Sequence, residues 1–320
     1  MPDHNSRRAP SASRPSSHLD NAIRSAIGAW RPGTIYSTCP ECSAERRKKA
    51  ARCLSISIQA DRAVFCCHHC EARGVIWRDG GASLSRAERT ERQKAAAAAV
   101  QADLARRVAG ARQIWDRAIP ALGTPVQAYL RSRGIDLADI PPTLRYARLR
   151  HPGTGETYDV MVAAVGYGPA PDAIHRTFLA PGGKGKAKLP DDLDAKMSLG
   201  PIRGLPIRLD GTADADAAAG ALAVGEGIEN SLVPVQEFGV PAWSSISAGN
   251  MPLIRIPDIY PLITILADYD PVGLRKAREA GQLWAADGHT VRMALPPVAG
   301  QDFNNLLKAA HPTDTQEGTA

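Results

Sequence analysis

From residue 221 onward the chain alternates between two textures. Short apolar runs at 221–224, 240–243, 262–267 and 290–294 are separated by stretches of helical character at 227–238 and 272–286, and another such stretch spans 303–309. Short, almost wholly apolar strands joined by helices are the pattern of a small parallel sheet covered by its crossovers. Two of the runs end in acids. Ala221–Val224 leads into Glu226-Gly227, and Leu262–Ala267 leads into Asp268-Tyr269-Asp270. Strand C-termini of such a sheet share one edge, where open α/β sheets place their sites. Glu226, Asp268 and Asp270 are therefore expected to meet there and to call for a divalent metal. Gly225 and Gly227 leave room for a sharp strand-to-helix turn that exposes Glu226. Asp268 and Asp270, two apart, point to the same side of an extended segment.

The six cysteines all lie between Cys39 and Cys70. Local pairing with x2 spacing favours a metal site in a reducing compartment over a disulfide framework, and a cytoplasmic location is expected. Cys39-x2-Cys42 and Cys67-x2-Cys70 are two knuckles that suit tetrahedral Zn²⁺, with Leu54–Ile58 and Ala63–Phe65 pairing as a hairpin between them. Cys66 replaces Cys67 if the register shifts by one, and a set of three cysteines and one histidine is open through His68 or His69. Cys53 reads as a small buried hydrophobe. Arg46-Arg47-Lys48-Lys49, between the knuckles, is a candidate phosphate contact.

The rest of the chain frames these two features. Residues 1–20 read as a disordered leader and 311–320 as a disordered tail. His18–Trp30 is expected to be a short helix, and the Ala- and Arg-rich stretch 83–119 a helical linker, in one piece or two. Residues 120–210 read as a mixed α+β region with a helix at Val126–Arg133 and strands at Leu144–Leu149 and Asp159–Tyr167. Its loop HRTFLAPGGKGKAKLP (175–190) offers Lys184, Lys186 and Lys188 to phosphates among glycines that permit close approach. No Walker A pattern is present. A formal charge of +6 leans toward a polyanionic partner, and no run approaches the ~20 apolar residues that a membrane span needs.

EG at 226–227 and DYD at 268–270 resemble the Toprim domain shared by bacterial-type primases, topoisomerases and some nucleases. YLRSRGI (129–135), HRTFL (175–179), GKAKLP (185–190), GEGIEN (225–230), ADYDPVG (267–273) and GQDFNNLL (300–307) narrow this to a resemblance to the primases of phages, plasmids and other mobile elements. CPEC, RCLSI and CHHC at 39–42, 52–56 and 67–70 resemble the zinc-ribbon that precedes the catalytic core in those proteins, and this favours Cys67 over Cys66 as ligand.

The resemblance implies a multidomain α+β and α/β chain: zinc-ribbon at 30–80, basic primase subdomain at 120–210, Toprim domain at 218–310. It implies that Glu226, Asp268 and Asp270 bind Mg²⁺ or Mn²⁺ for catalysis, with Asp302 close by. Arg176, Lys184, Lys186 and Lys188 are then expected to line the nucleotide or template groove. Glu229 matches a recurrent acid one turn after Glu226, though its i,i+3 spacing equally permits a helix-surface role. The implied activity is synthesis of short RNA primers from nucleoside triphosphates on single-stranded DNA, with unwinding left to a separate helicase or initiator. A Toprim nuclease and a catalytically inactive replication factor are the alternatives.

Overall fold

The structure, a computed structural model, describes residues 17–44, 49–50, 52–68, 70, 72–78, 86–190, 193–209 and 220–310. The leader through residue 16, Arg46, Arg47, Lys48, His69 and the tail 311–320 lie outside the described residues. The chain divides into two units, residues 1–105 with 190–192, and residues 106–189 with 193–320.

In the first unit, helix α1 (Ser17–Ile27) buries Leu19, Ile23 and Ile27, one stripe at i, i+4 and i+8. Four antiparallel strands follow in sequential order: β1 (Gly33–Ser37), β2 (Leu54–Ile58), β3 (Arg62–Cys67) and β4 (Arg73–Trp77). Alternation places Leu54, Ile56, Ile58, Ala63, Phe65 and Cys67 inside, together with Cys39 and Cys42. The hairpin expected from sequence is β2–β3. The outer strands GTIYS and RGVIW were not expected, since each is only five residues long and contains a glycine.

Helix α2 (Arg86–Arg117) is a single helix, and the boundary between the two units falls within it. The second unit then builds two layers. The first is an antiparallel meander of β5 (Ile119–Pro120), β6 (Leu144–Arg150), β7 (Thr157–Val165), β8 (Ala173–Leu179) and β9 (Lys196–Leu199), with helix α3 (Pro125–Ser132) after β5. One face of the meander packs Val160, Val162, Ile174 and Phe178 against Ala111 and Trp115 of α2. Its other face puts Met161, Ala163, Val165, Ala173 and Leu179 into a core with Val126, Tyr129 and Leu130 of α3.

The second layer comprises β10 (Ile207–Arg208), β11 (Ala221–Gly225), helix α4 (Ile228–Phe238), β12 (Ala242–Ser244), a 3₁₀ stretch at Ala248–Leu253, β13 (Leu262–Leu266), α5 (Pro271–Ala286), β14 (Thr290–Ala294) and α6 (Phe303–Ala310). Sheet order is β10-β12-β11-β13-β14, parallel throughout except for the antiparallel edge strand β10. Leu222, Val224, Ile263 and Ile265 pack with Ala277, Ala280 and Trp284 of α5. On the opposite side Ile228 and Leu232 of α4 enter the same core as α3, β7 and β8, so α4 is buried between the layers. No helix among the described residues is long and apolar enough to cross a membrane.

Candidate active site

Strand β11 is followed in sequence by its neighbour on one side, β12, and then by its neighbour on the other, β13. That reversal is a topological switch point, and the crevice beyond the strand C-termini is where such sheets take ligands. Glu226 leaves β11 at this point, and Asp268 and Asp270 leave β13 beside it. A side chain at Gly225 would stand 2.7 Å from the Ser231 hydroxyl, and one at Gly273 would stand 2.6 Å from the Asp268 carbonyl. Both turns therefore need glycine for space, because α4 and α5 start hard against the strands that precede them.

The acids act on one another. Burial, the charges of Asp268 and Asp270, and the weaker opposing pull of Lys196 place the Glu226 carboxyl at about 7. Asp268 is raised by burial, then by Asp302 and Asp270, against the lowering effects of Asn230 and Lys196. Each aspartate has one oxygen held in place. Asp268 Oδ1 accepts from Asn230 Nδ2 at 2.8 Å, and Asp270 Oδ1 caps α5 by accepting from the N–H groups of Val272 and Gly273, both at 2.8 Å. Asp302 Oδ1 accepts from Asn305 N at 2.7 Å. Asn230 also receives the Asn304 N–H at 3.0 Å, which ties α6 to the same cluster. No three carboxylates among the described residues come within 4.8 Å of one another. The set is one of hard oxygens under mutual repulsion, with a second oxygen on each aspartate. That chemistry fits a hydrated divalent ion, which keeps several waters and needs only one or two carboxylates.

The meander supplies the other wall. Register pairs His175 with Ser198 and Thr177 with Lys196, so these four side chains share the face toward Glu226. A small pocket there is lined by His175, Thr177, Lys196, Glu226, Ser244 and Ile246 among others. Burial and then Lys196 hold His175 down to about 4, so its ring is neutral; it shares a 3.0 Å hydrogen bond with the Ser198 hydroxyl. Ile246 has φ 70, a strained conformation for a β-branched residue, and its N–H reaches Ser244 Oγ at 3.2 Å.

Of the expected basic residues, Lys184 and Lys188 are exposed on the glycine-rich loop. Lys186 instead turns inward and pairs with Glu229 at 2.9 Å. Arg176 is displaced from its expected role: it sits between His175 and Thr177 on β8 and so projects to the opposite face, among the side chains that pack on α2. Burial lowers its pKa. Glu229 is also not on the helix surface. It is buried at 7% exposure and receives the Tyr129 hydroxyl. Burial opposes its charge, but Lys186 and Tyr129 outweigh that and hold it at about 2. Lys196, His175 and Thr177 line this pocket and were not singled out from the sequence.

The cysteines form the other centre. Among the described residues, Cys39, Cys42, Cys67 and Cys70 are the one group of at least three His, Cys, Asp or Glu whose ligand atoms all lie within 4.8 Å. Sγ–Sγ separations are 3.7 Å for Cys39–Cys70 and 3.7 Å for Cys42–Cys67. A ZnS₄ tetrahedron with Zn–S of about 2.3 Å has edges of about 3.8 Å, so the four sulfurs fit a zinc ion. Burial pushes the Cys39 thiol up to about 11 and Cys42 higher, as expected for thiols gathered where a cation would stabilise their charge. Cys66 points outward and is exposed, which settles the register in favour of Cys67.

Residues 221–312 match the Toprim domain family. The acids therefore sit on the sheet edge of a Toprim domain, and the chain is a Toprim-domain protein with a four-cysteine centre of zinc-ribbon type. Residues 105–209 match a domain of unknown function, DUF7146, which covers the meander facing the Toprim acids. Among solved structures, the chain resembles the zinc-binding and RNA polymerase domains of the Aquifex aeolicus primase at 15% identity, over 91% of this chain and 80% of that one, with a TM-score of 0.38. It resembles the primase fragment of the bacteriophage T7 primase-helicase protein at 12% identity, over 87% of this chain and 95% of that one, with a TM-score of 0.38. No curated protein matches the chain.

Proposed function

We propose that the protein is a DNA primase that makes short RNA primers on single-stranded DNA for a phage, plasmid or other mobile element, working with a separate helicase or initiator. What supports this reading is that Glu226 and the Asp268–Asp270 pair follow adjacent parallel strands at the switch point, close enough for their charges to raise one another, with Asp302 adding to the charge at Asp268 and Lys196 lining the pocket beside Glu226. Glu226, Asp268 and Asp270 would hold Mg²⁺ or Mn²⁺, in part through the ion's own waters, with Asp302 adding negative charge nearby. When bound, such an ion supplies Lewis-acid activation of a 3′-hydroxyl and charge stabilisation on a leaving pyrophosphate.

The chain's own residues set the rest. Lys196, at the wall of the pocket, supplies a cation for nucleotide phosphates. The Thr177 hydroxyl and the neutral His175 ring offer hydrogen bonds without adding charge. Lys184 and Lys188 extend from the loop for backbone phosphates, each a screened and sequence-independent contact. Arg176 has no part in this reading. The four-cysteine unit, stiffened by zinc, is assigned to the template strand.

The test is incubation of the full chain with mixed-sequence single-stranded DNA, labelled ribonucleotides and Mg²⁺ or Mn²⁺. We expect short labelled oligomers, reduced at least about a hundredfold by Asp268→Ala with zinc content unchanged. Absence of product across varied templates, or full activity in Asp268→Ala, would refute the assignment. Nicking of circular DNA in place of synthesis would move it to the nucleases.

A further inference from the structure

The zinc-type centre has a fifth sulfur beside it. Cys53 Sγ lies 3.7 Å from Cys67 Sγ and 4.0 Å from Cys42 Sγ, distances like those between the four ligands themselves. It is also 3.9 Å from the Ser43 hydroxyl. Its backbone is fixed there, because the Cys53 carbonyl accepts the His68 N–H at 2.8 Å, across from the second knuckle. Cys53 is half-buried, whereas Cys42 and Cys67 are buried. Cys66, the remaining cysteine, is exposed on the outer face of β3.

We propose that Cys53 is a reserve metal ligand that exchanges with Cys67, making this a five-thiol site for one Zn²⁺. In the exchange the Cys53 thiol releases its proton to water and forms a zinc–sulfur bond. The Cys67–zinc bond breaks, and the Cys67 thiolate takes up a proton. Charge, coordination number and oxidation state are unchanged, so no oxidant or reductant is required. The nearer contact of Cys53 is with Cys67, which makes Cys67 the leaving ligand; Cys39 lies on the other pair, 3.7 Å from Cys70. The consequence is a centre that keeps its ion when the Cys67 bond opens, as an electrophile or a competing metal would cause it to do.

The inference is independent of primer synthesis and is tested on the metal itself, using the full chain loaded with Co²⁺ in place of Zn²⁺. Thiolate-to-cobalt charge-transfer absorbance reports the number of cobalt–sulfur bonds. Cys67→Ala is expected to retain one ion per chain and four-thiolate intensity, while Cys53→Ser/Cys67→Ala loses about a quarter of the intensity and binds at least about tenfold more weakly. Cys39→Ala, which Cys53 does not neighbour, is expected to show the three-thiolate intensity. Equal spectra and affinity for Cys67→Ala and the double variant would overturn the proposal. Should either chain fail to fold, limited alkylation of the zinc-loaded wild type decides it. Cys67 should be modified faster than Cys39 with zinc retained, and Cys53→Ser should remove that difference; equal protection of Cys67 and Cys39 refutes exchange.

Discussion

Removing one cation tests how the two layers of the second unit are joined. Glu229 from α4, Lys186 from the glycine-rich loop and Tyr129 from α3 form a buried group, with Lys186 at 2.9 Å and the Tyr129 hydroxyl donating to the carboxylate. A carboxyl held at about 2 in place of its ordinary 4.5 draws about 3 kcal/mol of stability from remaining charged. Lys186→Met strands that carboxylate. Breaking a buried pair by removing one partner costs about 3–5 kcal/mol, and since the Lys186 side chain is 35% exposed, solvent screening brings the expected loss to about 2–3 kcal/mol.

The pH dependence identifies the cause. Glu229 has a depressed folded pKa, so its contribution is complete above the unfolded value of 4.5 and is lost as pH falls toward about 2. The gap between wild type and Lys186→Met should therefore be widest near pH 7 and shrink to less than half by about pH 3. Urea unfolding followed by fluorescence of the buried Trp115, Trp243 and Trp284 measures it. The double variant Glu229→Gln/Lys186→Met should recover at least about 1 kcal/mol relative to Lys186→Met, because no charge is then left unpaired. A loss below about 0.5 kcal/mol at pH 7, or a gap that does not change with pH, would refute the argument.

Glu226 has the opposite sign: its folded pKa of about 7 lies above the ordinary 4.5, so its charge costs stability above that value and the cost is relieved on acidification. Glu226→Gln should stabilise the metal-free chain at pH 8 by about 1–2 kcal/mol, and Mg²⁺ should raise the melting temperature of wild type more than that of the variant. Chelation of zinc should unfold β1–β4 and release one ion per chain, read by a colorimetric zinc indicator alongside far-ultraviolet circular dichroism. Gly183→Ala should cost at least about 2 kcal/mol in urea unfolding, because Gly183 has φ +74 and an added Cβ would meet the Pro125 carbonyl at 2.2 Å. If the proposed activity holds, Lys196→Ala should raise KM for ribonucleotides about tenfold or more with an unchanged unfolding midpoint.

Much of this site was legible because the Toprim strands are bounded by chemistry that acts locally. The runs expected at 221–224, 262–267 and 290–294 are β11, β13 and β14 to within a residue. Asp270 caps α5 immediately before Pro271 at its first position, so the sequence marks both the end of β13 and the start of the helix. The cysteine spacing similarly declared its centre. The strands that were missed, β1, β4, β5, β9 and β10, are short or carry few apolar side chains, and they form because a neighbouring strand offers its unpaired edge.

The unexpected face of Arg176, the omission of Lys196 and the open reading of Glu229 have a common physical origin in burial on both sides. Strand β8 is buried at every position except Arg176, so its hydrophobicity has no period of two, and nothing in HRTFL says which face Arg176 takes. Pairing decides it: Thr177 opposes Lys196, and that register alone brings Lys196 to the acids while sending Arg176 to α2. Helix α4 is likewise enclosed by the two layers, and from Ile228 to Gln236 its only charge is Glu229. A charge standing alone through the first nine residues of the helix, ahead of the exposed Glu237, was the available signal, because a buried carboxylate is tolerated only with a partner. The i,i+3 relation to Glu226 permitted a surface role, whereas the lack of another charge before Glu237 pointed inward. The second cue carries more weight wherever a helix must fill the space between two sheets.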